Sequence, residues 1–269
     1  MKSLIVTADD VGLHRGMTDG AIHAHLNGIV TACSVVANGA AFEHAVERLR
    51  ETPTLQVGVH LTLVEERPLA DGVPSLIGAN DLLLENWAAF VPRYIARLVR
   101  MRDVERELRA QLSAVLSTGL RVTHLNGHQH LHLLPRIFAL VLRLAEEHHI
   151  PYVRIVDDHG SPSRRAAVAA LSALGRRARG PLTNARTIGV ADAGHLTDIT
   201  PLLDHVQGVT ELVCHPGLGD AALAEAYPWG YGWEAETRAL CEPSLRAALA
   251  GRGIGLAAPA AVNTPPAAG

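Results

Sequence analysis

The chain has 269 residues, of which 48% are hydrophobic and 19% are charged, so it has ample material for the core of one α/β domain. A formal net charge of −3 argues against a general attraction to nucleic acid or to anionic membranes. Three widely separated cysteines without a Cys-x-x-Cys pair argue against a disulfide framework or a thiolate zinc site. Because the sequence shows neither a signal peptide nor a run of roughly 18 apolar residues, we expect a cytoplasmic protein without a transmembrane segment.

Short apolar runs alternate with amphipathic stretches along the chain. The predicted strands are 4–8, 29–37, 55–63, 121–125, 152–156, 187–191, 209–214 and 254–257. The predicted helices are 17–26, 40–50, 87–116 (two helices), 135–149, 164–179, 200–206 and 234–249, the last with a break at Pro243. Residues 65–86, with two prolines, two glycines and several acids, are predicted to form a long loop.

This alternation predicts a parallel sheet with helical crossovers. A closed or partly closed barrel of seven or eight strands fits first and an open doubly wound sheet second. No glycine-rich phosphate-binding motif follows the first strand, which argues against a nucleotide-binding sheet. We expect one catalytic domain over residues 1–257 and a flexible tail over 258–269, which is rich in proline and alanine.

The segment SLIVTADDVG combines a buried strand with two adjacent carboxylates, Asp9 and Asp10. Two like charges in a sheltered place repel each other and lose hydration, so a positive group is expected beside them. A divalent cation would meet that need if one aspartate bound it and the other stayed free to move a proton. The alternative is a plain strand-to-helix turn in which one acid caps the next helix.

Histidines follow three other predicted strands at the point where each strand ends. They are His60, His128 and His215. In a parallel barrel these ends share one face, so the histidines and the acid pair are expected to meet there. In the run 128–132 we expect extended backbone, with one of its three histidines on the metal and the others lining the cleft.

One aspartate and two histidines would leave coordination positions open for water and substrate. Such a donor set suits zinc, iron or nickel and also tolerates magnesium or manganese. Asp9 could then take a proton from the attacking water, and His215 could protonate a leaving amine or alcohol. The pattern therefore predicts metal-assisted hydrolysis.

Two further features concern the substrate. Tyr227, Trp229, Tyr231 and Trp233 place four of the ten aromatic residues within seven positions, and such rings stack well on sugars. A loop anchored by aromatic residues is the alternative. Arg154, in a predicted strand, would hold Asp9 in its ionised form, with a purely structural ion pair as the alternative.

The motifs TADDVG, GVHLTL, HLNGHQHLHLLP and CHPG, in this order, resemble those of the YdjC-like carbohydrate deacetylases, which include chitooligosaccharide and hopanoid-associated deacetylases. The resemblance runs over residues 4–256. It implies a distorted (β/α) barrel related to polysaccharide deacetylases, often dimeric, with one zinc or magnesium ion. It also implies removal of acetate from an N-acetylated amino sugar, carried by an oligosaccharide, a glycolipid or another glycoside.

Carried over by position, the resemblance makes Asp9 the general base, His215 the catalytic acid, and Asp10, His60 and His128 the metal ligands. We also expect substrate contacts from His130, Arg154, Tyr227 and Trp229. The chain departs from the family pattern at Val11, where phenylalanine is usual, which concerns the choice of substrate more than the reaction.

Two other functions compete with deacetylation. A metal-dependent phosphoesterase would need basic residues near the metal, and only Arg154, Arg164 and Arg165 offer themselves. A non-catalytic sugar-binding protein would have no need for the complete set of acids and histidines.

Overall fold

The computed structural model describes residues 2–156, 183–184 and 186–263. The strands are β1 (Lys2–Val11), β2 (Ala32–Val35), β3 (Gln56–Leu61), β4 (Val122–Gly127), β5 (Tyr152–Val153), β6 (Arg186–Ile188), β7 (Val209–Cys214) and β8 (Ile254–Ala257). The α-helices are α1 (Arg15–Asn27), α2 (Phe42–Arg50), α3 (Trp87–Ile95), α4 (Met101–Ser117), α5 (Pro135–Glu147), α6 (Asp220–Ala226), α7 (Trp233–Leu240) and α8 (Ser244–Gly251). Short 3₁₀ helices span Ala79–Asp81, His128–Leu133, Thr200–His205 and Pro259–Asn263.

The sheet is centred on β1, whose residues from Leu4 onward are buried. Seven strands run parallel in the order β5-β4-β3-β2-β1-β7-β6 and form a curled half-barrel. The eighth strand, β8, pairs with the first residues of β1, with Lys2 opposite Ile254. Because all of these strands are parallel, their carboxyl ends lie at one end of the barrel. The predicted single α/β domain with a distorted barrel is therefore confirmed.

Helices cover the outside of the sheet through apolar stripes. In α4, Val104, Leu108, Leu112 and Val115 recur at helical spacing, and all four are fully buried. They belong to the same apolar core as Val59 and Leu61 of β3. The outer face of this helix carries arginine and glutamate pairs such as Arg109 with Glu105. The charged and apolar faces thus orient the helix, as the sequence pattern predicts.

Side chains join the two edge strands of the half-barrel. Asn184 accepts a hydrogen bond from the backbone of Ile155 at 2.7 Å and donates one to its carbonyl oxygen at 2.6 Å. Thr187, in β6, donates to the same carbonyl oxygen. No backbone ladder pairs β5 with β6 within the described residues. These side-chain hydrogen bonds therefore connect the two edges of the half-barrel near the carboxyl ends of its strands.

Three local predictions differ from the structure. Residues 128–132, expected to be extended, lie in a 3₁₀ helix in which Gln129 and His130 have φ angles of +49° and +56°. Helix α6 lies in a stretch for which the sequence analysis predicts neither a helix nor a strand. Residues Pro259–Asn263 of the predicted flexible tail form a 3₁₀ helix, and the Ala260 N–H donates to the Gln56 side chain at 2.9 Å.

Parts of the sequence analysis lie outside the described residues. These are the helix predicted at 164–179, the two arginines at its start, and the last six residues of the predicted tail. Among the helices that the structure does describe, none combines the length and the hydropathy needed to cross a bilayer.

Candidate active site

The two aspartates of β1 reach one cavity because the strand is irregular where they lie. Asp10 has a φ of +63°, and the pairing of β1 with β2 shifts register between Ala8 and Val11. Neighbouring residues of a regular strand point to opposite faces. The bulge breaks that alternation, so Asp9 and Asp10 both line the cavity at the carboxyl end of the barrel.

The three predicted metal ligands lie together. Candidate ligand atoms of Asp10, His60 and His128 all fall within 4.8 Å of one another, and all three residues are buried. The Asp10 Oδ1 atom is 3.2 Å from His60 Nε2 and 2.9 Å from His128 Nδ1. A carboxylate and two imidazoles at this spacing form a donor set that a divalent cation can bind.

The environment of this cluster favours added positive charge. Burial lowers the pKa of His128, but the carboxylates of Asp10 and Glu65 together outweigh burial and raise that pKa to about 10. Burial likewise opposes ionisation of Asp10, and the facing His128 and His60 rings still hold its pKa well below the usual range. A site that binds a proton this firmly fits a divalent cation, whose binding would displace that proton.

The ring of His60 is fixed by the interior of the barrel. Asn126 donates its amide N–H groups to Asp9 Oδ1 at 3.2 Å and to Ser34 Oγ at 3.0 Å. Its carbonyl oxygen is therefore left to accept from His60 Nδ1, at 2.7 Å. This bond places the proton of His60 on Nδ1 and turns the lone pair of Nε2 toward Asp10, as a metal ligand requires.

The other aspartate is held by Arg154. The arginine is fully buried and donates to Asp9 Oδ2 at 2.5 Å and to Asp9 Oδ1 at 2.9 Å. Burial opposes ionisation of Asp9, but the guanidinium outweighs it, so the pKa of Asp9 lies below its ordinary value. Arg154 lies beneath the cavity and does not line it, so its predicted contact with substrate is not seen.

Glu211 completes this interior network, and the sequence analysis missed it. It accepts from Arg154 Nε at 2.9 Å and Nη2 at 2.8 Å, from Tyr152 at 2.8 Å and from Thr7 at 2.7 Å. One buried cation thus lies between two buried carboxylates. A glutamate in the middle of the apolar strand β7 was the sequence signal that could have revealed it.

His215, just after β7, lies near the Oδ2 atom of Asp10, whereas His60 and His128 lie near its Oδ1 atom. The Nε2 atom of His215 is 3.9 Å from Asp10 Oδ2, and burial lowers the pKa of His215. Behind it, Glu236 accepts the His215 backbone N–H at 2.6 Å, and Glu236 Oε1 is 3.9 Å from His215 Nδ1. Burial raises the pKa of Glu236 to about 8, so this carboxyl group is protonated near neutral pH. Glu236 is a second residue that the sequence analysis did not identify.

The three histidines of the 3₁₀ helix separate. His128 faces Asp10, whereas the Nε2 atom of His132 lies 3.1 Å from the Arg154 carbonyl oxygen, behind the site. His130 lines the cavity, and its buried Nδ1 atom has no hydrogen-bond partner among the described atoms. His130 therefore forms part of the cavity wall, and its contact with a substrate stays a prediction.

An aromatic wall bounds a cavity of about 840 Å³ beside the cluster. The rings of Trp229 and His128 have centroids 5.6 Å apart, and those of Tyr231 and His215 are 5.4 Å apart. Tyr227, predicted to contact substrate, lies behind Trp229 at 4.8 Å and donates to the carbonyl oxygen of Leu13. Tyr231 therefore lines the cavity where Tyr227 was expected. Val11, the departure from the family pattern, is buried in the core.

Comparisons with known proteins agree with this architecture. The family model described as YdjC-like protein matches residues 3–251. The chain belongs to the YdjC-like family. A carbohydrate deacetylase from Geobacillus stearothermophilus is 35% identical over 94% of both chains. A chitooligosaccharide deacetylase from Salmonella paratyphi B is 30% identical over 94% of this chain and 96% of its own length.

A solved structure has the same fold as this chain over nearly the whole length of both. It is a proposed cellobiose-phosphate cleavage protein from Enterococcus faecalis V583, with a TM-score of 0.80 and 27% identity. The alignment covers 96% of this chain and 97% of that one.

Proposed function

We propose that the protein is a metal-dependent hydrolase that removes the N-acetyl group from an N-acetylated amino sugar. The observation that carries the proposal is the convergence of Asp10, His60 and His128 beside an aromatic-walled cavity. The names of the full-length relatives, carbohydrate deacetylase and chitooligosaccharide deacetylase, support the same substrate class. The sugar-bearing molecule would be an oligosaccharide, a glycolipid or another glycoside.

Asp10, His60 and His128 would hold one divalent ion, zinc or magnesium. Two imidazole donors favour zinc, whereas a carboxylate and open positions for water also accept magnesium. When bound, such an ion polarises an acetyl carbonyl group and acidifies water.

The chain's own residues would move the protons. Asp9, kept ionised by Arg154, accepts a proton from the attacking water. His215, whose pKa burial lowers, would take up the proton released from the attacking water and deliver it to the leaving amine. Trp229 offers a ring face beside His128 on which the apolar face of the sugar can stack. His130, with its unpartnered Nδ1, offers a hydrogen bond to a substrate polar group.

A phosphoesterase gains no support from the cavity. Among the described residues that line it, none is lysine or arginine, so none of them offers a phosphate group the ammonium or guanidinium partner that it prefers. The predicted homodimer and the cytoplasmic location stay predictions.

Acetate release tests the proposal. The purified protein, loaded with zinc or magnesium, should release acetate from at least one member of a panel of N-acetylhexosamines, chitooligosaccharides and N-acetylated glycolipids. A chelator should abolish the release, and re-adding the metal should restore it.

The matched variant is Asp9→Asn, which keeps the shape of the side chain. It should lower kcat by about 10²–10⁴-fold, the usual contribution of a general base. Full activity of the metal-free protein would contradict the metal-dependent mechanism. Failure of the loaded protein on the whole panel would contradict the substrate class.

A further inference from the structure

Glu65, which the sequence analysis placed at the start of a loop, contacts one of the metal ligands. Its Oε2 atom is 3.1 Å from His128 Nε2, while His128 Nδ1 lies 2.9 Å from Asp10 Oδ1. An imidazole that binds a metal through one nitrogen carries its proton on the other. The contact with Glu65 therefore favours a proton on Nε2 and leaves Nδ1 free to bind a cation beside Asp10.

Glu65 is itself held in place from the far side. The side-chain Nε2 of Gln129 donates to Glu65 Oε1 at 2.6 Å. The side-chain Oε1 of Gln129 accepts the backbone N–H of Trp87 at 2.6 Å. A chain of hydrogen bonds therefore runs from the start of α3 through Gln129 and Glu65 to His128. Because each donor in this chain meets an acceptor, the carboxylate has little freedom to turn away.

The backbone at both partners is strained. Glu65 has a φ of +70° and Gln129 a φ of +49°, in the left-handed region that residues other than glycine rarely occupy. Such conformations persist when surrounding contacts enforce them, and they concentrate at functional sites. Here the strain aims the Glu65 carboxylate and the Gln129 amide at each other.

The two histidine ligands are thus oriented from opposite directions. His60 has its Nδ1 proton fixed by Asn126 inside the barrel and turns Nε2 to Asp10. His128 has Nε2 against Glu65 in the loop after β3 and turns Nδ1 to Asp10. His60 lies in a strand and His128 in an irregular turn, so the two rings approach Asp10 from different directions. Each ring therefore needs its own hydrogen-bond partner to turn a nitrogen lone pair toward Asp10.

We propose that Glu65 is a positioning residue that fixes His128 as a metal ligand through Nδ1, whereas His60 binds through Nε2. The inference rests on the metal site of the proposed function. In this role Glu65 acts on the metal only through the orientation and tautomer of His128, although it also lines the cavity.

Zinc affinity, measured by calorimetry without substrate, is the first test. Glu65→Ala should weaken zinc binding by about 10–100-fold, the usual cost of losing an outer-sphere partner. Glu65→Gln should weaken it less, because its carbonyl oxygen still accepts from Nε2. The matched control is Glu105→Gln on the outer face of α4, which removes a carboxylate paired with Arg109 and should leave zinc affinity unchanged.

The tautomer of His128 in the zinc-loaded wild-type protein is the second test, and it needs no variant to fold. Long-range ¹H–¹⁵N correlation spectra should show His128 protonated on Nε2 and His60 protonated on Nδ1. Coordination of His128 through Nε2, or equal zinc affinities of Glu65→Ala and wild type, would overturn the inference and leave the proposed function intact. A wild-type protein that binds no divalent ion would instead overturn the metal site itself.

Discussion

The Asp9 side and the His215 side of the site are built differently. Asp9 receives hydrogen bonds from Arg154, Ser34 and Asn126, all of which project from strands or strand ends inside the barrel. His215 follows the end of β7, and its Nδ1 atom has no hydrogen-bond partner among the described atoms. On Glu236 of α7, whose carboxyl group lies near His215, the Oε2 atom likewise has no hydrogen-bond partner in the part of the chain that the structure describes.

This difference means that hydrogen bonds fix the geometry of the Asp9 side more firmly than that of the His215 side. On the Asp9 side each charged group has a hydrogen-bonded partner within the barrel, so folding itself sets the geometry. On the His215 side a histidine and a carboxyl group face each other at 3.9 Å, too far for a hydrogen bond. We therefore expect substitutions on the Asp9 side to affect the free energy of unfolding most, and those on the His215 side to change its dependence on pH.

The largest effect is expected from Arg154→Met. The arginine is fully buried between Asp9 and Glu211, so its removal leaves two buried carboxylates without a cation. Breaking a buried ion pair from one side costs about 3–5 kcal/mol. Urea denaturation of the chelated protein at neutral pH should show a loss of this size in the free energy of unfolding.

The control for this loss is an exposed arginine. Arg102 pairs with Asp103 at 3.2 Å, but 71% of its side chain is exposed. Arg102→Met should therefore change the free energy of unfolding by less than about 1 kcal/mol. If both arginine variants lose the same amount, the interior network does not hold the Asp9 side together.

The sequence predicted the framework of the site well, because that framework depends on local patterns. The alternation of apolar runs located the strands, and β7 and β8 begin and end where the pattern placed them. Parallel strands put their carboxyl ends together, so Asp10, His60 and His128 could be expected to meet although 118 positions separate the first from the last.

The sequence could not predict the partners that orient these three side chains. Glu65 and Glu236 lie outside the strand pattern, and their contacts depend on how a loop and a helix pack in three dimensions. The left-handed backbone of Gln129 and His130 could not be predicted either. Residues of these types ordinarily prefer negative φ angles, and here tertiary contacts outweigh that preference. The same packing places Arg154 beneath the cavity.

The second largest effect is expected from Glu236→Gln, and it depends on pH. The pKa of Glu236 is raised to about 8 in the folded protein from 4.5, so the folded state keeps a proton that the unfolded chain releases. Stability should therefore fall as pH rises between these two values and level off above about 8, with a slope of at most about 1.4 kcal/mol per unit. Glutamine imitates the protonated carboxyl group and has no such penalty.

Denaturation of both proteins from pH 5 to 9 gives the readout. The stability of Glu236→Gln relative to wild type should rise with pH up to about 8 and then stay constant. If the stability difference between Glu236→Gln and wild type does not change over this range, Glu236 is ionised in the folded protein. The contrast between the Asp9 side and the His215 side would then be wrong.

The smallest effect is expected from Trp229→Ala, on the aromatic wall of the His215 side. Trp229 lies between Tyr227 and Tyr231, at 4.8 and 5.5 Å between ring centroids, so its face is already in place when a sugar binds. An aromatic contact contributes about 0.5–1.5 kcal/mol beyond its buried area. The variant should therefore lose about tenfold in kcat/KM, mainly through a higher KM, in the acetate-release assay.

Trp87→Ala is the matched comparison, because Trp87 lines the same cavity with 55% of its surface exposed. Because less of its ring surface is buried, Trp87→Ala should lower kcat/KM by a smaller factor than Trp229→Ala does. A larger loss for Trp87 than for Trp229 would place the sugar against α3, away from His215. A fall in kcat for Trp229→Ala at unchanged KM would mean that this ring positions His128, with which its centroid distance is 5.6 Å, and that the wall belongs to the metal site.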